Sequence, residues 1–395
     1  MFKRLFALFV IGATLPFFAR AAQPDDALRS RLQSDLAHYL SARAKAEHIS
    51  AISLSVYLPG SASNINVAVG STEYGGAGGP VTTENLYQIG SNTKSFTSAT
   101  ILQLEDEGKL SVDDTVGKWL PQYPSWKNIT IRRLLNMTSD IPTYDDVTSM
   151  LTAYAANPTQ DWPKAKLVAV VYPHIADPGW LYSNTAYILS EMIIERATGN
   201  RYTDEIRRRF LNNPAIGLDS TYYEPNMYPD AITSRMVAGY FYSTDSDNNG
   251  LQPLYGKDMR DLSLSWAQGA GGIVSTPEDV TRWTRALYGG AVLKPKQQKE
   301  LESLVSLENG KPIAATTPQH SRGFGLGVAQ MLMPKLGRIW FYEGMTLGYR
   351  VAYAYFPQSH AVFAVGLNSQ PDKKQDEIGK LFMSLYDTLH ADGKM

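Results

Sequence analysis

Tyr87-Gln88-Ile89-Gly90-Ser91-Asn92-Thr93-Lys94-Ser95-Phe96-Thr97 opens a helix-like run that reaches Glu107 and stops at Gly108. Residues three apart share a helix face, so the Ser91 hydroxyl and the Lys94 amine can meet over one surface. A serine is a weak nucleophile until a base takes its proton, and a lysine serves as that base when desolvation or positive potential favours its neutral form. A helix start supplies such potential, and the Ser91 backbone N–H there can stabilise a developing oxyanion. The tetrapeptide alone describes equally well a buried helix that carries Ser and Lys in its first turn. Phe96, Ile101, Leu102 and Leu104, set among the small Ser95, Thr97, Ser98, Ala99 and Thr100, predict a helix packed on several sides.

Before this run, leucines recur at Leu28, Leu32, Leu36 and Leu40 within Asp25 to Glu47, one apolar face of a first helix that begins after Pro24. Ala51 to Leu58 alternates apolar and polar residues, and Asn64 to Val69 repeats the trend after Pro59-Gly60, which predicts an antiparallel hairpin. Leu110 to about Met236 is rich in helical segments broken by Pro and Gly. Arg338 to Tyr342, Tyr349 to Phe356 and Ala361 to Leu367 are strand-like, and Asp376 to His390 is an amphipathic helix. Strands at both ends with helices between them predict an α+β fold: one antiparallel sheet flanked by the terminal helices, plus an all-helical lobe. The expected layout places a sheet lobe at about 22–90 and 260–395, a helical lobe at about 91–259, and an active site between them.

Residues 1–21 read as an export signal, with Lys3 and Arg4, an uncharged apolar stretch from Leu5 to Phe18, and Ala19-Arg20-Ala21 as the cleavage site. This leaves 22–395 as one catalytic unit in the periplasm or medium, with no stable membrane anchor, since no later segment has the roughly 18 apolar residues a spanning helix needs. Loss of Lys3, Arg4 and Arg20 leaves 34 basic against 38 acidic side chains, which does not invite nucleic acid. The chain has no cysteine, which excludes disulfides, a thiol nucleophile and cysteine metal ligands. His38, His48, His174, His320, His360 and His390 are scattered without metal-like spacing, and no cofactor is implied. Asp245 to Gly250 begins like a calcium loop, but its twelfth position is Gly256, so a plain turn is expected. Tyr222, Tyr223, Tyr228, Tyr240 and Tyr242 are expected to pack the lobe.

Two further segments carry chemistry. Tyr182-Ser183-Asn184 precedes an apolar helix; a tyrosine beside a buried lysine can share its proton, and an asparagine can hydrogen-bond the lysine amine or a substrate amide. Tyr342-Glu343-Gly344-Met345 ends a predicted strand, where Gly344 allows close approach of a ligand and the Met345 N–H can be an oxyanion donor opposite that of Ser91.

Together these residues resemble the penicillin-recognising serine hydrolases, the β-lactamase-related family of class C β-lactamases, D-Ala-D-Ala carboxypeptidases, D-aminopeptidases and β-lactamase-like esterases. The resemblance runs in family order through the Ser91 segment, Glu107 to Asp114, Leu134-Leu135-Asn136-Met137-Thr138-Ser139, Tyr182-Ser183-Asn184, Gly271 to Thr276 and Gly323 to Gly327. It implies a Ser91 acyl-enzyme, proton transfer by Lys94 and Tyr182, orientation by Asn184, and an oxyanion hole of the Ser91 and Met345 N–H groups. The implied substrate is a small molecule or peptide with an ester or amide, peptidoglycan-derived ones included.

The chain departs from the family at three places. Tyr342-Glu343-Gly344 stands where Lys-Thr-Gly or His-x-Gly is usual, so the customary cation is missing, and alternation leaves open whether Tyr342 or Glu343 faces the cleft. Arg350, on the next strand, is a candidate to restore positive charge. Asn136 and Asp140 stand where His and Gly are common. Esterase or peptidase activity is therefore expected ahead of efficient β-lactamase activity. A D-Ala-D-Ala carboxypeptidase or class C-like β-lactamase, and a non-catalytic cell-wall or ligand-binding protein of the same fold, are the competing readings.

Overall fold

The computed structural model describes residues 24–395, so the expected export signal over 1–21 lies outside the described residues. Nine strands form one antiparallel sheet. Across it run Ile65–Gly70, Ala51–Tyr57, Ala361–Leu367, Tyr349–Phe356, Gly337–Thr346, Ala329–Met333, Arg322–Phe324, Leu304–Ser306 and Pro312–Ile313. The N-terminal hairpin thus completes a sheet built mostly from the C-terminal third, with Ile52 opposite Leu367.

Side-chain alternation sorts each strand onto two faces. From Tyr349–Phe356, Ala352, Ala354 and Phe356 join an outer core under the terminal helices, while Tyr349, Val351, Tyr353 and Tyr355 join the inner core facing the helical lobe. The outer core is closed by helices Pro24–Glu47 and Ile378–Ala391. Leu28, Leu32 and Leu36 are fully buried at four-residue spacing, and Asp35 accepts hydrogen bonds from Ser384 at 3.0 Å and Thr388 at 2.6 Å.

On the inner face, helix Pro277–Tyr288 lies between sheet and lobe, and Trp283 stacks on Phe96 with ring centroids 3.7 Å apart. The Trp283 indole N–H also donates to Ser95 Oγ at 2.9 Å. Phe96 belongs to helix Thr93–Asp106, which is buried along nearly its whole length, in keeping with its small residues. Ser91 precedes that helix, in a 3-10 turn of three residues, Gly90–Asn92. The strand expected over Arg338 to Tyr342 runs on to Thr346, so Glu343 to Met345 lie within it and not at its end. Four short strands between 304 and 333, of two to five residues, carry too few residues for a period-two pattern to show.

Arg350 lies on the outer face with Ala352 and Ala354, fully buried, and does not reach the cleft. Its guanidinium donates to Glu47 Oε2 at 2.8 Å, to the Ser369 carbonyl at 3.0 Å, and to Asp376, which also accepts the Ile378 N–H at 3.0 Å. The expectation that Arg350 supplies a cation to the site is therefore corrected, because strand alternation points it away and two carboxylates neutralise it. Glu343 shares this outer side. Burial, followed by the negative charge of Asp376, pushes its carboxyl up to about 8.

Two outcomes are expected. Arg350→Met strands buried carboxylates and lowers unfolding stability by about 3–5 kcal/mol, read from urea titrations at neutral pH. Between its ordinary value of 4.5 and about 8, folded Glu343 keeps a proton that the unfolded chain has released, so its contribution is full at low pH and is lost as pH rises through about 8. Glu343→Gln should flatten the decline in stability across that window; an unchanged slope refutes the assignment.

Candidate active site

Tyr87–Gln88 pairs antiparallel with Val274–Ser275, and the Ile89 N–H donates to the Ile273 carbonyl at 3.0 Å. This delivers the Gly90–Asn92 turn against the edge of strand Gly337–Thr346. Gly90 has a φ of +52°, and a Cβ there would lie 2.6 Å from both the N and O of Met345. A Cβ on Gly344 would lie 1.9 Å from the Ile89 carbonyl oxygen, so two backbones meet where no side chain fits. The Asn92 side chain locks the contact by donating to the Ile89 carbonyl at 2.9 Å and the Val351 carbonyl at 2.8 Å. Ser91 and Met345 thereby line the same cavity.

Lys94 follows one turn later and is fully buried. Its Nζ lies 2.9 Å from Ser91 Oγ, 2.6 Å from Asn184 Oδ1 and 2.7 Å from the Ala270 carbonyl oxygen. Asn184 Oδ1 and the carbonyl can only accept, so two N–H groups are committed. The third position of the amine faces Ser91 Oγ, as a hydrogen or as a lone pair. Tyr182 OH lies 2.5 Å from the same Oγ, and its ring centroid is 4.8 Å from Lys94 Nζ. The hydroxyl thus sits between an amine and a phenol. The arrangement can move a proton from Ser91 to either and return it to a leaving group.

Tyr182 and Asn184 are held at the start of helix Asn184–Thr198, where the Ser183 side chain caps by accepting the Ala186 N–H at 3.2 Å. The preceding loop rests on the Met137–Asp140 turn, since the Leu181 N–H donates to the Met137 carbonyl at 2.9 Å. Asp140 adopts a φ of +60°, a conformation that glycine takes freely and aspartate tolerates. Its carboxylate also binds Arg133 at 2.7 Å and the Gly179 N–H at 3.2 Å, which accounts for the departure at this position. Asn136 accepts from its neighbour Thr138 at 2.7 Å.

Tyr342, not Glu343, points inward, its OH 3.5 Å from that of Tyr182. Burial and the neighbouring Tyr182 hold its phenol well above the ordinary value, so it is neutral. The cavity beside Ser91, about 570 Å³, crosses the exposed edge of this strand, so Glu343 and Met345 line it too. Glu343 Oε1 is shut off from solvent with no hydrogen-bond partner. Trp180, Phe324 and Tyr342 make an aromatic wall, with centroids 5.7 Å and 5.9 Å apart in sequence. Tyr223 and Tyr228 instead pack the lobe core.

Sequence reading missed three partners. Asp145 Oδ2 accepts from Asn184 Nδ2 at 2.6 Å and so fixes which end of the amide faces Lys94. Thr143 Oγ1 accepts the Asn184 N–H at 3.0 Å. The Ala270 carbonyl is a backbone group, and its only signal was its place just before Gly271-Gly272.

Known proteins resemble this chain over most of its length. Residues 40–386 match the model of the Beta-lactamase family. Penicillin-binding protein 4* of Bacillus subtilis (strain 168) is 30% identical over 284 residues, 68% of this chain and 58% of the relative. Protein flp of Staphylococcus aureus (strain MW2) is 28% identical over 58% of this chain and 45% of its own length, so the chain spans about half the length of these curated relatives. The D-amino acid amidase of Ochrobactrum anthropi SV3 superposes with a TM-score of 0.74 at 21% identity, over 92% of this chain and 99% of that one. The D-stereospecific amidohydrolase of Streptomyces sp. does so with a TM-score of 0.70 at 24% identity, over 88% and 96%. With the family model spanning both lobes and every landmark around Ser91, the chain belongs to the β-lactamase-related family of serine hydrolases.

Proposed function

We propose that this protein is an exported hydrolase that cleaves an ester or amide through an acyl-enzyme on Ser91. The observation that carries the reading is the double contact on one hydroxyl, Lys94 Nζ at 2.9 Å and Tyr182 OH at 2.5 Å. In the first step Ser91 Oγ attacks the substrate carbonyl carbon as its proton passes to the Lys94–Tyr182 pair. The negative oxygen that forms is held by the N–H groups of Ser91 and Met345. Collapse breaks the bond to the alcohol or amine, which leaves with the transferred proton. Water then attacks the Ser91 ester by the same relay, releasing a carboxylic acid and restoring the hydroxyl. Asn184, oriented by Asp145, keeps Lys94 aimed at Ser91.

The substrate is read from what lines the cleft. A neutral phenol, Tyr342, stands where relatives carry the cation that attracts a carboxylate, and Arg350 is neutralised behind the sheet. Asp145 adds a carboxylate beside Asn184, Glu343 keeps its proton up to about 8, Lys373 is paired with Asp247 at 2.5 Å, and Arg322 also lines the cavity. These features favour amides or esters without a free carboxylate next to the scissile bond. The Trp180–Phe324–Tyr342 wall favours an apolar or aromatic acyl group. The amidase and amidohydrolase that share the fold make D-amino-acid amides the first compounds to try. A D-Ala-D-Ala carboxypeptidase or class C-like β-lactamase is the second reading, favoured by the intact Ser91, Lys94, Tyr182 and Asn184 set.

Intact-mass measurement and turnover with a short aryl ester, D-phenylalanine amide, a penicillin and a D-Ala-D-Ala peptide separate these readings. Ester and amide should be consumed ahead of the other two. Ser91→Ala should abolish labelling by a serine-reactive acylating probe, and retained labelling removes Ser91 from the mechanism. Tyr182→Phe should lower kcat by about 10²–10⁴-fold. A folded protein that turns over no ester and no D-amino-acid amide supports the non-catalytic binding reading.

A further inference from the structure

Glu191 lies two helical turns beyond Asn184, so both side chains leave the same side of helix Asn184–Thr198. That side faces the Gln268–Gly271 turn, whose Ala270 carbonyl is 2.7 Å from Lys94 Nζ. Glu191 is nearly inaccessible to solvent, and its two oxygens take three partners, the Tyr223 hydroxyl donating to them at 3.4 Å. Oε2 accepts the Gly269 N–H at 2.7 Å, while Oε1 meets Lys164 Nζ at 3.1 Å. The other side of the Gly269 peptide is held by Thr97 Oγ1, which donates to its carbonyl at 2.7 Å. The turn needs such holding, because Gln268 has a φ of +38°, in the region that strains a residue bearing a side chain. Space around the peptide is also exhausted, since a Cβ on Gly269 would lie 2.8 Å from Glu191 Oε2.

We propose that Glu191 is a positioning residue for Lys94, pinning the Gly269 peptide so that the next carbonyl, that of Ala270, meets the lysine amine. The proposal rests on the reading of Ser91 and Lys94 as catalytic. One helix then serves the lysine twice, directly through Asn184 Oδ1 and indirectly through Glu191 and the backbone. Released from Glu191, the strained turn relaxes, the Ala270 carbonyl turns away, and Lys94 loses one of the two acceptors that aim its third position at Ser91 Oγ. The loss falls on the proton-transfer step and leaves the substrate cavity untouched, because Glu191 lies outside that cavity. Burial pushes the Glu191 carboxyl up, and the Lys164 ammonium opposes the rise. In either protonation state an oxygen remains to accept the Gly269 N–H.

The test compares Glu191→Ala with Glu191→Gln, whose amide oxygen can still accept that N–H, in aryl-ester kinetics and in labelling of Ser91. Glu191→Ala should lower kcat at least about 10-fold with KM within about twofold, and Glu191→Gln should stay within about threefold of the parent in kcat. Unchanged kcat in Glu191→Ala, a change confined to KM, or equal losses in both variants overturns the proposal. If Glu191→Ala does not fold, Thr97→Val, which releases the same peptide from its other side, replaces it with the same criteria. Absence of labelling and turnover in the parent protein defeats the hydrolase reading itself, whereas normal labelling with equal kcat in all variants defeats only the role of Glu191.

Discussion

A lysine amine buried away from water must find an acceptor for each N–H, because an unmet buried donor costs about 1–3 kcal/mol and an unmet charge far more. Lys94 meets this demand with oxygens from three separate parts of the chain: Ser91 one turn before it, Asn184 at the head of a helix in the lobe, and Ala270 in a backbone turn. No two of these are neighbours in sequence. Satisfying one amine therefore fixes the relative placement of the nucleophile turn, the lobe helix and the returning chain, which are the pieces that surround the cleft.

Only backbone contact could bring the sheet equally close. Gly90 and Gly344 remove side chains at the point where the nucleophile turn touches the strand Gly337–Thr346, and Asn92 bridges from that turn to the next strand. The strand is paired along Trp340 to Thr346 with Tyr349–Phe356, which is buried along its whole length. Hydrogen-bond donors aimed at a developing charge are effective when they do not reorganise during reaction. The Met345 backbone, next to the strand's last residue and held against Gly90, would offer the proposed donor in that fixed form. The sheet thus does more than complete a hydrophobic core.

Much of this arrangement was legible in the sequence, and the reason is periodicity. Tyr349–Phe356 and Ala361–Leu367 are apolar runs of seven or eight residues between turns, and Pro24–Glu47 carries leucines every fourth position, so their boundaries followed from pattern. Ser91, Lys94, Tyr182 and Asn184 stood out as side chains with known reactivity, set in segments that recur in order. Asp145, Glu191 and the Ala270 carbonyl did not. Asp145 sits in a 3-10 turn without period, Glu191 interrupts an apolar helix face, and a carbonyl has no letter in the sequence. Their partners lie 39, 78 and 176 residues away, so their roles exist only once the chain has folded.

Arg350 shows the same limit from the other side. As a letter it was the cation on the strand that follows Tyr342-Glu343-Gly344, but alternation assigns residues one apart to opposite faces. The inner face between Tyr342 and Tyr353 is lined with neutral phenols, while the outer face carries Arg350 with Glu47 and Asp376. Because a nine-stranded sheet cannot slip by one residue without turning its whole core outward, this division of charge is as firm as the fold. On the Gly337–Thr346 strand it is Tyr342 whose side chain stands beside Tyr182, so the charge state at that position bears most directly on the reacting groups. Its neutrality follows from burial against a second phenol, and the same burial would charge any cation placed there a desolvation penalty that the Lys94 amine already meets with its own acceptors. The neutral phenol of Tyr342 and the fully satisfied lysine are thus two results of one packing arrangement.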